Sequence, residues 1–131
     1  MDRIAAGLFA TSGIPTTLVM PLFLVWILVS DSLPTVGGVR GLSGGPFEQL
    51  GPRAVALLGI PFIATSVLEI VAARRLWRGQ RGGRALGLSL LVPTEIFAIG
   101  YDLPIWHGLV AARSAALAAG LVMERREATP E

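Results

Sequence analysis

Long apolar runs alternate with short polar connections along this chain. Four apolar segments cover about residues 4–30, 54–73, 85–102 and 105–123. Each is close to the roughly 20 residues that an α-helix needs to cross a hydrocarbon core of about 30 Å. Helices are expected because every backbone hydrogen bond then closes within one segment, as lipid requires. The pattern predicts an all-α integral membrane protein: one domain, residues 1–131, folded as a bundle of four transmembrane helices.

The first apolar segment differs from a cleaved secretory signal. It begins with Asp2 and stays apolar to Val29, beyond the 7–15-residue apolar core that is typical of signal peptides. No Ala-x-Ala cleavage site closes it. We therefore expect it to be retained as the first helix.

Arginine residues are distributed unevenly between the two sides of this predicted bundle. The larger group adjoins the termini and the second connection: Arg3, Arg74, Arg75, Arg78, Arg81, Arg84, Arg125 and Arg126. The other side holds only Arg40 and Arg53, in or beside a glycine-rich loop at 31–52. Cytoplasmic loops carry an excess of basic residues, so both termini are predicted to be cytoplasmic and the loop 31–52 extracytoplasmic.

Composition narrows the class further. The chain is 53% hydrophobic and 15% charged, with a mean hydropathy of +0.66, which is too apolar for an ordinary soluble domain of this size. All 11 basic residues are arginine, a bias that suggests a GC-rich genome and hence the inner membrane of a bacterium.

Several kinds of site are excluded by residue type. The chain has no cysteine and a single histidine, His107, so neither a cysteine metal site nor a multi-histidine metal site can form within one chain. Nucleotide fingerprints are missing, and we expect no metal and no cofactor. No basic surface interleaved with aromatic residues is present, so nucleic acid is not an expected partner. The predicted partners are the lipid bilayer and a lipophilic small molecule.

Two ionisable residues, Glu95 and Arg113, lie near the middle of the third and fourth segments. Folding the chain about the Asp102-Leu103-Pro104 turn brings them to the same depth, which predicts an ion pair. Pro93 predicts a kink beside the carboxylate. An ionisable group within a membrane segment marks a functional site by default. A buried ion pair that only fixes helix register is the alternative, and Arg113 could instead bind an anionic substrate group.

Other polar residues extend this prediction into a track through the bundle. Asp102 lies two helical turns after Glu95, and His107 follows across the turn, so the predicted catalytic residues are Glu95, Asp102 and His107. The predicted substrate-binding residues are Arg113, Trp106, Tyr101, Glu69, Thr65 and Ser66. Simpler interpretations stay open: a solvated surface histidine, a Glu69 pair with Arg74 or Arg75, and a Tyr101 that anchors the membrane interface.

The fourth segment carries small residues at four-residue spacing: Gly108, Ala112, Ala116 and Gly120. Such stripes let helix backbones approach closely in membranes. The sequence does not decide whether the partner helix belongs to the same chain or to a second copy in a homo-oligomer.

Three functions fit these features. We favour a small membrane-embedded enzyme, a cofactor-independent isomerase or cyclase, whose buried carboxylates perform acid–base chemistry on a lipophilic substrate such as a terpenoid. The second is an accessory or assembly subunit of a membrane complex, in which the polar residues are structural. The third is a small oligomeric proton-coupled transporter, because intramembrane acids commonly mark ion pathways.

Overall fold

The computed structural model describes residues 1–127, so the last residues of the predicted domain 1–131 lie outside the described range. It contains four long helices: α1 (Asp2–Ser30), α2 (Pro52–Trp77), α3 (Gly83–Gly100) and α4 (Pro104–Glu127). All four are long and apolar enough to cross a membrane. The prediction of four helices of membrane-spanning length and hydropathy is confirmed.

The helices pack in a ring. The most extensive contact is between α1 and α2, and α2 then packs on α3, α3 on α4, and α4 on α1. Proline residues lie inside three of these helices without ending them: Pro15, Pro21, Pro61 and Pro93. The outward faces carry large exposed apolar side chains such as Leu22, Leu57 and Val92. This is the surface expected of helices that face lipid chains.

Gly13 allows the close approach of α1 to α2. A Cβ atom at this position would lie 2.9 Å from the backbone oxygen of Ser66 and 3.2 Å from the Cβ of Glu69. Only glycine fits there without moving one of the two helices. Gly13 therefore sets the distance between α1 and α2 at the level of Glu69.

The core consists of two apolar clusters with a polar layer between them. The first cluster lies towards the start of α1: Ala5, Ala6, Phe9, Ala72, Ala73, Leu76, Leu90, Ala116 and Leu117. The second lies towards the end of α1: Met20, Ile27, Leu42, Val55, Ala56, Phe62, Phe97 and Tyr101. On α1, α2 and α3 the buried polar residues fall between the two clusters in sequence, and on α4 the buried Arg113 precedes Ala116 and Leu117 of the first cluster, which places the polar layer near the middle of the bundle.

The glycine-rich loop at 31–52 is folded against one end of the bundle. It forms a two-stranded antiparallel hairpin, β1 (Thr35–Val36) with β2 (Val39–Arg40), and a 3-10 helix at Pro46–Leu50. The 3-10 helix packs on α2 and α3, and the ring of Phe47 lies 5.1 Å from that of Tyr101. The loop is thus a structured cap that closes the second apolar cluster.

Candidate functional site

Each of the four helices contributes one residue to a buried polar group, which we call the central cluster: Ser12, Glu69, Thr94 and Arg113. The Oε1 atom of Glu69 accepts hydrogen bonds from Thr94 Oγ1 at 2.6 Å and from Arg113 Nη1 at 2.8 Å. Its Oε2 atom accepts one from Ser12 Oγ at 2.6 Å. The Glu69 carboxylate is therefore held by the three other helices together.

The side chain of Arg113 is 0% exposed. Besides Glu69, its Nη2 atom donates to the backbone oxygen of Leu8 at 3.3 Å and to the hydroxyl of Ser12. Its guanidinium carbon lies 4.5 Å from the centre of the Phe9 ring, a cation–π distance. Only the Nε atom has no hydrogen-bond partner among the described residues. A buried charge needs such a set of partners, because desolvation of an unpaired ion is costly.

The predicted ion pair between Glu95 and Arg113 is therefore wrong, since the carboxylate partner of Arg113 is Glu69. The interpretation of Glu69 as a partner of Arg74 or Arg75 at the bundle end is wrong for the same reason. The difference arises from the direction in which the side chains point. On α3 the buried polar residue is Thr94, and successive residues of a helix point about 100° apart, so Glu95 is directed elsewhere.

Glu95 instead pairs with His107, and we call these two residues the lateral pair. The Nδ1 atom of His107 lies 2.6 Å from Oε1 of Glu95, and the two side chains are 41% and 38% exposed. The second carboxylate oxygen, Oε2, is buried and has no hydrogen-bond partner among residues 1–127. The pair lies on the flank of α3 and α4, beside exposed apolar residues such as Ile96 and Ile105.

The predicted relay between His107 and Asp102 does not form. Asp102 is exposed in the turn between α3 and α4, with a positive φ of 52°. It lies beneath the cap, where a Cβ atom added to Gly44 would be 2.8 Å from its Oδ2 atom. The imidazole of His107 bonds to Glu95 instead. Of the three residues predicted to be catalytic, the structure brings together only Glu95 and His107.

Tyr101 lies in the core and not at the lateral pair. Its hydroxyl donates to the backbone oxygen of Val55 at 2.9 Å, and its ring packs 5.4 Å from that of Phe62. The side chain is 1% exposed, which is not the position of an interfacial anchor. Trp106, the residue before His107, is half-buried at the start of α4.

The hydroxyl groups of Thr65 and Ser66 are also buried, but they bond within α2. Thr65 donates to the backbone oxygen of Pro61 at 2.9 Å, and Ser66 donates to that of Phe62 at 3.0 Å. Neither is hydrogen-bonded to Glu69. They line the same face of α2 one turn before it, so they contribute to the polar layer without holding the carboxylate.

Sequence reasoning missed Ser12 and Thr94, which complete the central cluster. The signal for Thr94 was its place in the row Gly87, Leu90, Thr94, Phe97 and Tyr101, whose three- and four-residue spacing marks one helix face. All five are buried. Ser12 lies three residues after the buried Phe9 on α1. Within residues 1–127, no group of three or more His, Cys, Asp and Glu side chains is arranged to hold a metal ion.

The small-residue stripe of α4 is divided between two environments. Ala116 and Gly120 are buried within the chain, whereas Gly108 and Ala112 are exposed. A Cβ atom at Gly120 would lie 3.1 Å from Oδ1 of Asp2, so this glycine leaves room for the Asp2 carboxylate. One half of the stripe is thus used inside the bundle.

Comparison of the chain with family models, with curated proteins and with solved structures returned no match.

Proposed function

We propose that the protein is a small membrane-embedded acid–base catalyst for a lipophilic substrate, and that the lateral pair of Glu95 and His107 is its reacting centre. One observation carries the proposal: the carboxylate and the imidazole are hydrogen-bonded at 2.6 Å while both side chains remain partly open on the flank of the bundle. A lipophilic molecule that diffuses within the bilayer reaches this flank directly. Glu69 and Arg113 are buried and offer no comparable access.

The pair suits a reaction in which a proton is given and a proton is returned. The protonated member donates a proton to one carbon of a double bond, and the basic member removes a proton from a neighbouring carbon. The product is an isomer of the substrate, with the same number of atoms and electrons, so no oxidant or second substrate is consumed. Isomerisation or cyclisation of a terpenoid or polyene belongs to this class.

The central cluster has a different role in this proposal. Thr94 precedes Glu95 on α3, and Arg113 lies two turns after Trp106 on α4. Thr94 and Arg113 are both hydrogen-bonded to Glu69, and these bonds fix the rotation of α3 and α4 about their axes. In this rotation Glu95 on α3 faces His107 on α4. We regard Glu69, Thr94 and Arg113 as positioning residues.

Exchange of carbon-bound hydrogen tests the proposal. The full chain is placed in nanodiscs prepared in heavy water, supplied with a panel of polyenes and terpenoids, and the products are analysed by mass spectrometry for rearrangement and deuterium. Glu95→Gln and His107→Gln should each lower the rate by roughly 10²–10⁴-fold, the usual contribution of a general acid or base.

Ser114→Ala is the matched control. Ser114 is also half-buried on α4, but its hydroxyl bonds to Val110 of its own helix, so the substitution should leave the rate unchanged. Incorporation of deuterium at the wild-type rate in Glu95→Gln would contradict the assignment. Loss of activity in Ser114→Ala as well would show that any substitution on this flank disrupts the protein, and that the effect is not specific to Glu95 and His107.

A second candidate is an accessory subunit of a membrane complex. It is favoured by the exposed small residues on α4, among them Gly108, Ala111 and Ala112, which would let a partner helix approach closely. In this case Gly108→Leu with Ala112→Leu should shift the protein from a large to a small species when native membranes are solubilised in mild detergent. A single small species for the unaltered protein would count against it.

We further propose that the arginine-rich end of the bundle faces the cytoplasm of a bacterium, with the protein in the inner membrane. The support is the excess of arginine at the termini and the α2–α3 connection. Because the chain has no cysteine, a single introduced cysteine is the only thiol that can be labelled, and its labelling reports on which side of the membrane it lies. Ser43→Cys should react with a membrane-impermeant maleimide in intact cells and Gly79→Cys only after lysis, and the reverse pattern would overturn this orientation.

A further inference from the structure

A cleft of about 600 Å³ opens at the end of the bundle where α1 begins and α2 ends. All four helices contribute to its walls, including Arg3 of α1, Trp77 of α2, Arg84 of α3 and Met123 of α4. A second cleft of about 330 Å³ shares Arg84 with it and adds Arg81. The two adjoin, since Asp2, Leu76, Gly79 and Glu124 also line both, and we call them together the basic cleft.

The two carboxylates that line the basic cleft, Asp2 and Glu124, both form ion pairs with Arg84. The Nε atom of Arg84 lies 2.9 Å from Oδ1 of Asp2, and its Nη1 atom bonds to Glu124. The other arginines of the recess, Arg3, Arg78 and Arg81, form no ion pair with any side chain that the structure describes. Among the described side chains, the recess therefore carries an excess of positive charge.

Apolar side chains stand beside these charges. Trp77 is 60% exposed and Met123 is 51% exposed, although both line a recess. The guanidinium carbon of Arg3 lies 5.5 Å from the centre of the Trp77 ring, so a charged group and an aromatic face are presented together. A ligand that suits this surface has an anionic part and an apolar part side by side.

We propose that the basic cleft binds an anionic phospholipid. Its headgroup phosphate is contacted by Arg3, Arg78 and Arg81, and its acyl chains begin against Trp77 and Met123. Basic recesses between the ends of transmembrane helices suit lipid phosphates, since guanidinium groups donate in pairs to phosphate oxygens. The position at the end of four membrane-spanning helices places the recess at the level where lipid headgroups lie. This inference does not depend on the proposed catalytic activity.

Lipid binding to the full chain is measured by native mass spectrometry from detergent micelles, with dioleoyl phosphatidylglycerol as the probe and dioleoyl phosphatidylcholine as the neutral comparison. The unaltered protein should retain phosphatidylglycerol in preference to phosphatidylcholine. Arg3→Gln with Arg78→Gln should weaken phosphatidylglycerol binding by roughly 30-fold, because each arginine near an anionic lipid contributes about a factor of five.

The matched control is Arg74→Gln with Arg126→Gln. It removes the same charge from the same end of the bundle, but neither arginine lines the basic cleft. The control should bind phosphatidylglycerol as the unaltered protein does. Equal loss in both double variants would overturn the proposal, because binding would then follow the overall charge of this end and not the recess.

Two further results would also overturn it. Equal retention of phosphatidylcholine would mean that only the apolar wall binds lipid. Displacement of phosphatidylglycerol by millimolar inorganic phosphate would identify a site for a free anion.

The circular dichroism spectrum and melting temperature of each variant without added lipid establish that it is folded. If the Arg3 and Arg78 double variant does not fold, the single variant Arg81→Gln takes its place, and the same loss is expected in smaller measure.

Discussion

Glu69 accepts hydrogen bonds from three other helices, whereas Glu95 shares a single hydrogen bond with His107 on a neighbouring helix. Both are carboxylates within apolar, membrane-length helices. Glu69 is 2% exposed and is paired with a guanidinium that is itself buried. Glu95 is more than one-third exposed, and one of its oxygens has no partner among the described residues. Both residues can carry a charge, so charge alone does not distinguish them. Glu69 differs from Glu95 in having more hydrogen-bond partners and less exposure.

The largest expected effect comes from removing the charge of Glu69. Glu69→Gln leaves the Arg113 guanidinium buried without its counter-ion and should lower the free energy of unfolding by about 3–5 kcal/mol. The measurement is the unfolding midpoint in mixed detergent micelles. Replacing Arg113 by Gln in the same chain should recover much of the loss, and the double-mutant cycle gives the coupling energy. Additive losses would mean that the two residues act independently.

Gly13→Ala tests whether close packing of α1 on α2 seals the central cluster. The added Cβ would lie 2.9 Å from the backbone oxygen of Ser66, so the helices must separate, at a cost of about 1–3 kcal/mol. Gly7→Ala is the matched control on the same helix, because its Cβ would have nothing within 4 Å. Equal melting temperatures for the two variants would show that α1 accommodates the methyl group without strain.

Thr94→Val keeps the shape of the side chain and removes one donor to Glu69. The expected loss is about 1–2 kcal/mol, since a buried hydrogen bond to a charged group is lost while the arginine stays paired. Thr94→Ser restores the hydroxyl group and should recover most of that stability. If Ser is no better than Val at this position, packing of the methyl group and not the hydrogen bond explains the effect.

The smallest expected change in stability is at the lateral pair. Glu95→Gln should alter the free energy of unfolding by less than about 1 kcal/mol, because the amide can keep the hydrogen bond to His107 and no buried guanidinium loses its counter-ion. The same micelle titration used for Glu69→Gln provides the direct comparison. A loss as large as that of Glu69→Gln would assign Glu95 to the structural core of the protein and would remove the basis for its proposed chemistry.

The number and boundaries of the helices were predictable from sequence. The predicted segments agree with α1 to α4 to within four residues at each end, because length and hydropathy alone identify a span. The glycine-rich loop was correctly separated from the helices. Its hairpin and its 3-10 helix were not predicted, since a short loop carries no periodic signal.

The pairing of Glu69 with Arg113 was harder to predict than the helix boundaries. In a soluble bundle the apolar stripe marks the inner face, but lipid makes the outer face apolar as well. On α2, exposed Leu57 and Val67 are as apolar as buried Phe62, so hydropathy does not reveal the direction of Glu69. Small and hydroxyl side chains at three- and four-residue spacing do mark the inner face, and Thr94 lies on that row while Glu95 does not. Thr94 and Glu95 lie at nearly the same depth, so depth alone does not distinguish the residue that faces the bundle interior from the one that does not.

The order of the central cluster along the chain has a consequence for biogenesis. Every acceptor of Arg113, namely Leu8, Ser12 and Glu69, precedes it in the sequence, and Glu69 does so by 44 residues. When α4 leaves the ribosome, α1 and α2, the two helices that supply the hydrogen-bond acceptors of its arginine, have already been made. Partitioning of α4 into the membrane is thus coupled to the assembly of α1 with α2, and a chain in which these two helices fail to associate presents the insertion machinery with an arginine that has no acceptors in lipid.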